Sequence, residues 1–553
     1  MFTRQEMWDR LGAVEVLVIG GGITGTGIAR DAARRGLKVA LVDMSDLAFG
    51  TSSRSSKMVH GGLRYLEHFA LSLVFESVSE RRVLLDIAPH IVNPMAYLAP
   101  IYSQSRQKLW IVNAGMWLYE GLSLFRSPKR HQILDPDMVK ELEPTLKIEG
   151  MSGAPVFFDC STDDARLTLE TGLDAAKAGA VVVTWARMDS FITDDSGRVT
   201  GALVEDMTSG EMREVLAEVV INATGPWTDG IIAKTATKKH LLRPTKGVHI
   251  VVDRSKLPVN HVVVFQHPVD SRPLFAVPWE ERTYLGTTDT DYEGDPAEVF
   301  ADCEDIDYLI DAAAVLFPDH PLTHDDVLAT WAGLRPLIQP EEELKESSVS
   351  REHEIVVGED GLITIAGGKL TTYRRMAAEV VETALSLLRL RNSLPTNLRL
   401  ANTDTEPLPG AVGWPADDDH GKVAEQVLAA GESSIEADTA RHLANCYGMR
   451  GIDIAQLAAA EPRLAQRIIE GRPEVYCQVK WAITEELAAS ITDVLKRRTQ
   501  IYFRDLDQGL GVLDEVGHFM AEQLQWDEER LNKEKDAYSA EVSASRRWRE
   551  GQK

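Results

Sequence analysis

The feature that most constrains this chain is the run Gly20-Gly21-Gly22-Ile23-Thr24-Gly25 near its start. A short β-branched strand, Glu15 to Ile19, leads into it. A turn over Gly20 to Gly27 and a small-residue helix, Ile28 to Arg35, follow, and Gly36 can end that helix. A second apolar strand, Lys38 to Val42, completes a strand–turn–helix–strand unit, so a parallel sheet is expected. In the G-x-G-x-x-G pattern Gly20 permits the tight turn, Gly22 lets the backbone approach a pyrophosphate, and Gly25 lets the helix pack closely on the strand. The N-terminus of such a helix offers free N–H groups and positive dipole to phosphate. Asp43, at the end of the second strand, can accept both ribose hydroxyls and would repel a 2′-phosphate. A glycine run alone is a weak signal. In register with strand, helix, strand and terminal acid, it reads as a dinucleotide-binding site.

Further elements argue about which dinucleotide. The loop Phe49-Gly50-Thr51-Ser52-Ser53-Arg54-Ser55-Ser56-Lys57 is small and polar, with Thr51, Ser52, Ser53, Ser56 and Lys57 as phosphate-friendly groups, and His60-Gly61-Gly62 follows it. Asn222-Ala223-Thr224-Gly225 follows another apolar strand and looks like a second signature of flavin enzymes, with Ala223 and Gly225 near the cofactor. Gly367-Gly368-Lys369-Leu370-Thr371, after the strand Leu362 to Ala366, looks like a third contact, towards the isoalloxazine end. Simple nicotinamide enzymes need no such widely spaced set, so FAD is the expected cofactor.

With 553 residues, 44% of them hydrophobic, the chain is long enough for several domain-sized units. Helical pattern dominates roughly from 70 to 150, strands return over 151–240, and strands alternate with turns over 241–345 in the manner of an antiparallel sheet. The expected fold class is α/β. After a linker at 396–420 come an all-helical C-terminal domain at 421–530 and a charged tail at 531–553 expected to fray.

The formal net charge of −26 disfavours a general nucleic-acid binder. Cys160, Cys303, Cys446 and Cys477 form no C-x-x-C pair, so neither a disulfide framework nor a metal site is expected, and reduced thiols of a cytoplasmic protein are the plain reading. Met1 to Ala13 lacks an apolar stretch, so no secretory signal is expected. No apolar run of about 18 residues occurs, so nothing is expected to span a bilayer. The stretch from Arg106 to Arg130 interleaves basic residues with Trp110, Trp117, Tyr119, Leu124 and Phe125. It reads either as an ordinary core helix or as a face that lies on anionic lipid.

Three segments together carry a specific resemblance. Ile19 to Gly36, Gly50 to Leu66, and Gly367 to Ala377 resemble the signatures of FAD-dependent glycerol-3-phosphate dehydrogenases. His442 to Gly448, Glu485-Glu486 and Thr492 to Thr499 resemble the helical C-terminal domain of that family. The likeness covers nearly the whole chain except its last thirty or so residues. It implies a Rossmann-like FAD-binding domain assembled from 1–90, 151–240 and 346–395, with 91–150 as a helical part of the cap, and an antiparallel-sheet substrate domain at 241–345, which agrees with the order of the segments. It implies oxidation of sn-glycerol 3-phosphate to dihydroxyacetone phosphate, with electrons passed to a membrane quinone in dehydrogenases or to O2 in oxidases. A homodimer, peripheral on the inner face of the cell membrane, is the accompanying expectation. A flavin oxidoreductase acting on an amine or 2-hydroxy acid, and a flavin-binding regulator without turnover, are the rival readings.

Oxidising a secondary alcohol phosphate requires a phosphate clamp, a proton acceptor and a C2 hydrogen facing flavin N5. Arginine and lysine suit the clamp, and Arg335, Arg351, Lys369, Arg64 and Arg374 are the candidates. The resemblance implies that Arg335, Arg351 and Lys369 lie near substrate, with Arg64 and Tyr65 at the same mouth. Histidine is the natural base near neutral pH. The resemblance puts His249, in Thr245-Lys246-Gly247-Val248-His249-Ile250, beside the flavin, with His60 as its rival. Arg335 stays protonated, so it binds and stabilises negative charge and does not act as base.

Overall fold

The strand before the glycine run lies in the middle of a sheet. The structure, a computed structural model, describes residues 3–551 except 64–65, 67–69, 125, 236–239 and 340–352. Strand Val14–Ile19 lies between Met212–Asn222 and Val39–Val42, parallel to both. Val181–Val183 continues the parallel order on one side and Ile363–Gly367 on the other, and His353–Val357 closes that edge antiparallel. Residues 16–19, 39–42, 181–183 and 363–366 of these strands are buried and almost wholly apolar, as parallel strands covered on both faces must be. A hairpin, Ala186–Thr193 and Val199–Asp206, adds to Met212–Asn222.

Helices Ile23–Arg34, Asp164–Lys177 and Tyr373–Leu390 share one core with this sheet. The first begins at Ile23, earlier than the expected Ile28, so Gly25 and Gly27 stand inside it. Both are there for room. A Cβ on Gly25 would strike the Gly20 carbonyl, and one on Gly27 would press into Tyr373 and Ala377 of the neighbouring helix.

The second sheet is mostly antiparallel, with eleven strands among the described residues. Leu242–Asp253 pairs along its length with Val327–Ile338 and on its other edge with Arg282–Gly286. Pro273–Trp279 and Val262–Gln266 follow outward. The sheet then continues through Val92–Leu98 into the long strand Met151–Thr162. The 70–150 region is therefore not simply helical. Helices Leu71–Ile87, Leu109–Leu122 and Pro136–Leu142 are present, but Val92–Leu98 is a strand. Its partners lie far along the chain, where a local pattern cannot register them.

From His420 onward the chain is mainly helical; Ile501–Arg504 and Glu528–Ser545 pack on Val327–Ile338 of the second sheet, and Leu487 joins the core of the first. Asp46, fully buried beneath the first sheet's loop, receives Arg497 at 2.6 Å and Arg498 at 2.8 Å. Arg166 pairs with Glu486 at 2.6 Å. Although burial pushes the Asp46 carboxyl up, the two guanidiniums hold it below the usual carboxylate range. This contribution to stability is complete above the ordinary aspartate range and is lost as pH falls through the depressed value. Asp46→Asn removes the carboxylate that Arg497 and Arg498 share, leaving Arg497 to Asp493 and Arg498 to Glu486, and is expected to cost about 3 kcal/mol near neutral pH, read by denaturant unfolding.

The charged tail is helical as far as Gly551. Glu528–Ser545 is a helix with Leu531, Tyr538 and Val542 buried, and Arg547–Gly551 forms a further turn. Tyr538 donates to the Gln508 carbonyl at 2.6 Å, Thr330 donates to the Ser545 carbonyl, and Trp548 sits in the core of the second sheet. A few well-spaced apolar residues and backbone bonds hold this segment despite its charge.

Candidate active site

The glycine turn opens onto a cavity of about 600 Å³, within the range of small-molecule and cofactor sites. Gly20, Gly22, Asp43, Thr51, Ser52, Ser56, His60, Ala223, Gly225, His249, Arg335, Gly368, Lys369, Leu370 and Thr371 all line it. The widely spaced signatures thus meet in one place. Gly20 has φ +110, and a Cβ there would collide with the Ala223 carbonyl, so the first and second signatures touch. The His60 amide and carbonyl both bond Thr371 Oγ1 at 3.2 Å, tying the early loop to the third.

Asp43 ends its strand where the sequence places it. Its Oδ2 accepts the Gly21 N–H at 2.5 Å and its Oδ1 accepts the Ser45 N–H at 2.8 Å. Burial pushes its pKa up to about 6, so it is mostly ionised at neutral pH. Each oxygen retains a lone pair for a ribose hydroxyl. The cradle without side chains at Gly20 and Gly22, the polar loop and this acceptor fit FAD.

Several expected contacts lie off the cavity wall. Gly25 packs under Gly20, and Ser53 is buried within its own turn. Lys57 makes a buried ion pair with Asp164 at 2.7 Å and faces the rings of Trp331, Trp279 and Phe503. Gly61 packs against Tyr119 and Val78 while its amide bonds Asp159, and the Gly62 amide bonds His60 Nδ1 at 3.1 Å. Arg374 is held by Glu80, away from the cavity. Arg64, Tyr65 and Arg351 lie outside the described residues.

The register of the second sheet brings the chemical groups together. His249 stands opposite Trp331, Gly247 opposite Gly333, and Thr245 opposite Arg335, so these alternate residues share one face. His249 stacks on Trp331 with ring centroids 4.6 Å apart. A side chain on Gly247 would occupy the space of the Arg335 guanidinium. Arg335 donates to Asp289 Oδ1 at 3.0 Å, to Thr287 Oγ1 at 3.1 Å and to the Thr288 carbonyl at 3.2 Å. Sequence reading missed Asp289, Thr287 and Trp331. No local motif marks them, and only strand pairing brings them here.

His249 is 2% exposed. Its Nε2 lies 2.9 Å from Ser56 Oγ, and among the described residues its Nδ1 has no hydrogen-bond partner. Burial, then the charges of Arg335 and Lys57, push its pKa well below the ordinary imidazole value. The ring is neutral at neutral pH and can accept a proton.

Two family models match successive parts of the chain. Residues 15–374 match the FAD dependent oxidoreductase family, and residues 401–531 match the C-terminal domain of alpha-glycerophosphate oxidase. The aerobic glycerol-3-phosphate dehydrogenase of Staphylococcus saprophyticus is 39% identical over 96% of this chain and 93% of its own. That of Staphylococcus aureus is 36% identical over 96% of this chain and 93% of its own. The crystal structure of glycerol-3-phosphate dehydrogenase from Bacillus halodurans complexed with FAD superposes with a TM-score of 0.80 at 32% identity, covering 98% of each chain.

Proposed function

The chain belongs to the aerobic glycerol-3-phosphate dehydrogenase family of FAD-dependent oxidoreductases, and from that premise we propose that it oxidises sn-glycerol 3-phosphate to dihydroxyacetone phosphate and delivers the electrons to a membrane quinone. The observation that carries this reading is the convergence of His249, Arg335 and Lys369 on the wall of the cavity formed by the glycine cradle. Bound FAD supplies the hydride acceptor at N5. Arg335 and Lys369 bind the phosphate, and Arg335 brings it a permanent positive charge. Asp289 and Thr287 fix the plane of the guanidinium, so the substrate is oriented without freezing a loose side chain on arrival. His249, neutral and stacked on Trp331, takes the C2 hydroxyl proton, and Ser56 holds the ring in place. An arriving phosphate dianion offsets the Arg335 charge that depresses the imidazole, which makes the ring a better acceptor once substrate is bound.

The quinone part of the proposal rests on an exposed apolar face. On helix Leu109–Leu122 Trp110 is 72%, Trp117 52% and Leu118 46% exposed, while Phe75 on the preceding helix is 44% exposed. Arg106, Lys108, Arg126, Lys129 and Arg130 bracket this helix in the sequence, and all five are exposed. Aromatic side chains beside basic ones suit an anionic lipid surface. No helix among the described residues is long and apolar enough to cross a membrane. Trp110→Glu with Trp117→Glu is expected to weaken sedimentation with anionic vesicles by at least about tenfold. Equal sedimentation of variant and parent would remove this face from the membrane.

The direct test is anaerobic mixing of FAD-loaded protein with sn-glycerol 3-phosphate. Bleaching of the flavin is expected, followed by reoxidation with a quinone analogue. A flavin that stays oxidised would exclude this substrate, and rapid reoxidation by air with stoichiometric peroxide would replace the quinone by O2.

A further inference from the structure

Behind the second sheet lies a group of side chains that the oxidation does not use. Cys303 is the first residue of helix Cys303–Leu316, and Asp307 stands one turn later on the same face. The short turn His324–Asp326 brings His324 across to them. His324 Nε2 lies 2.7 Å from Asp307 Oδ1, and Cys303 Sγ lies 3.9 Å from Asp307 Oδ2. One ligand atom from each residue lies within 4.8 Å of the others. A tetrahedral zinc site, with bonds of about 2.1 Å to N and O and about 2.3 Å to S, has ligand–ligand edges of roughly 3.4–3.6 Å. The three donors need movements of under about 1 Å to reach that geometry.

We propose that Cys303, Asp307 and His324 bind one divalent transition-metal ion of the zinc or cobalt class, with solvent completing the coordination. A thiolate and an imidazole select such ions over magnesium or calcium, which prefer oxygen alone. Binding forms a metal–sulfur bond, and the thiol releases its proton to solvent. The donors come from Cys-x-x-x-Asp on a helix and a histidine on a separate turn, a spacing that a search for paired cysteines passes over.

The surroundings give the site a structural consequence. The His324 ring meets the edge of Trp548 at a centroid distance of 5.8 Å, and the Gly551 backbone packs against Cys303. Arg549 donates to the Val327 carbonyl at 2.7 Å, beside the same turn. An ion here ties helix Cys303–Leu316 to the turn against which the C-terminal segment docks, so metal should protect that segment.

The test is titration of the full-length, FAD-loaded protein with Co2+, read as a difference spectrum for thiolate-to-cobalt charge transfer. Saturation at one equivalent and displacement by Zn2+ are expected. Cys303→Ser should abolish the charge-transfer band. His324→Gln and Asp307→Asn should each weaken binding by at least about tenfold. Cys446→Ser serves as control, because the Cys446 thiol also lies beside a histidine, 3.8 Å from His442 Nδ1. It should leave the band unchanged. Zn2+ should also slow proteolysis of the C-terminal segment in the parent and not in Cys303→Ser. FAD content reports that each variant is folded. Absence of a saturable band in the parent, or a band that survives Cys303→Ser, overturns the assignment.

Discussion

His249→Ala is expected to lower kcat by about 10²–10⁴-fold, the usual yield of a positioned general base, while FAD content stays near that of the parent. The expectation follows from the ring's setting. It is buried, neutral, stacked on Trp331 and in contact with Ser56, on the wall that also carries Arg335. Alanine removes the acceptor and leaves a hole beside Trp331, so His249→Asn serves as the companion that keeps polarity and most of the volume. Both variants should bind substrate nearly as well as the parent, judged by perturbation of the flavin spectrum, and both should reduce the flavin slowly in a single turnover. A parent-like reduction rate in either would move the proton-accepting role to another group, with His60 the next candidate.

Arg335→Ala is expected to lower kcat/KM by roughly 10²–10³-fold, mostly through KM, again with FAD retained. Two effects add here. The phosphate loses a charge-assisted contact, and Asp289, whose side chain is only 10% exposed, is left facing the substrate without its partner. The second effect gives the prediction its internal control. Asp289→Asn placed on top of Arg335→Ala should recover part of the loss, because it removes the carboxylate that now repels phosphate. Arg335→Lys should fall between parent and alanine, since it keeps the charge but cannot reproduce the three donor contacts to Asp289, Thr287 and Thr288. An unchanged KM in Arg335→Ala would remove the phosphate from this position.

Much of the cofactor cradle was legible because its determinants are local. A tight turn, a close backbone approach and a strand end ask for particular residues within a short stretch, and Gly20, Gly22 and Asp43 are those residues. Glycine at Gly25 and Gly27 misled the helix boundary, because low helix propensity marks both residues as loop while packing against Gly20 and Tyr373 keeps them helical. The tail misled for the opposite reason. Its charge suggested a solvated segment, yet Tyr538 and Trp548 are single anchors, Tyr538 held by Gln508 and Tyr502 some thirty positions back and Trp548 by residues hundreds of positions away. Lys57 sits in a loop that looks made for phosphate, but its charge goes to Asp164.

By itself the sequence determined the strand–turn–helix–strand start, the dinucleotide cradle, the apolar parallel strands and the helical nature of the C-terminal region, since each depends on φ/ψ limits or on hydrophobic period within a short window. Tertiary structure alone decided that Asp289 orients Arg335, that Trp331 supports His249, that Val92–Leu98 joins the second sheet, and that the tail docks beside Cys303 and His324. Each of these rests on strand register or packing between distant segments, where a one-residue shift in pairing would turn the side chain to the other face.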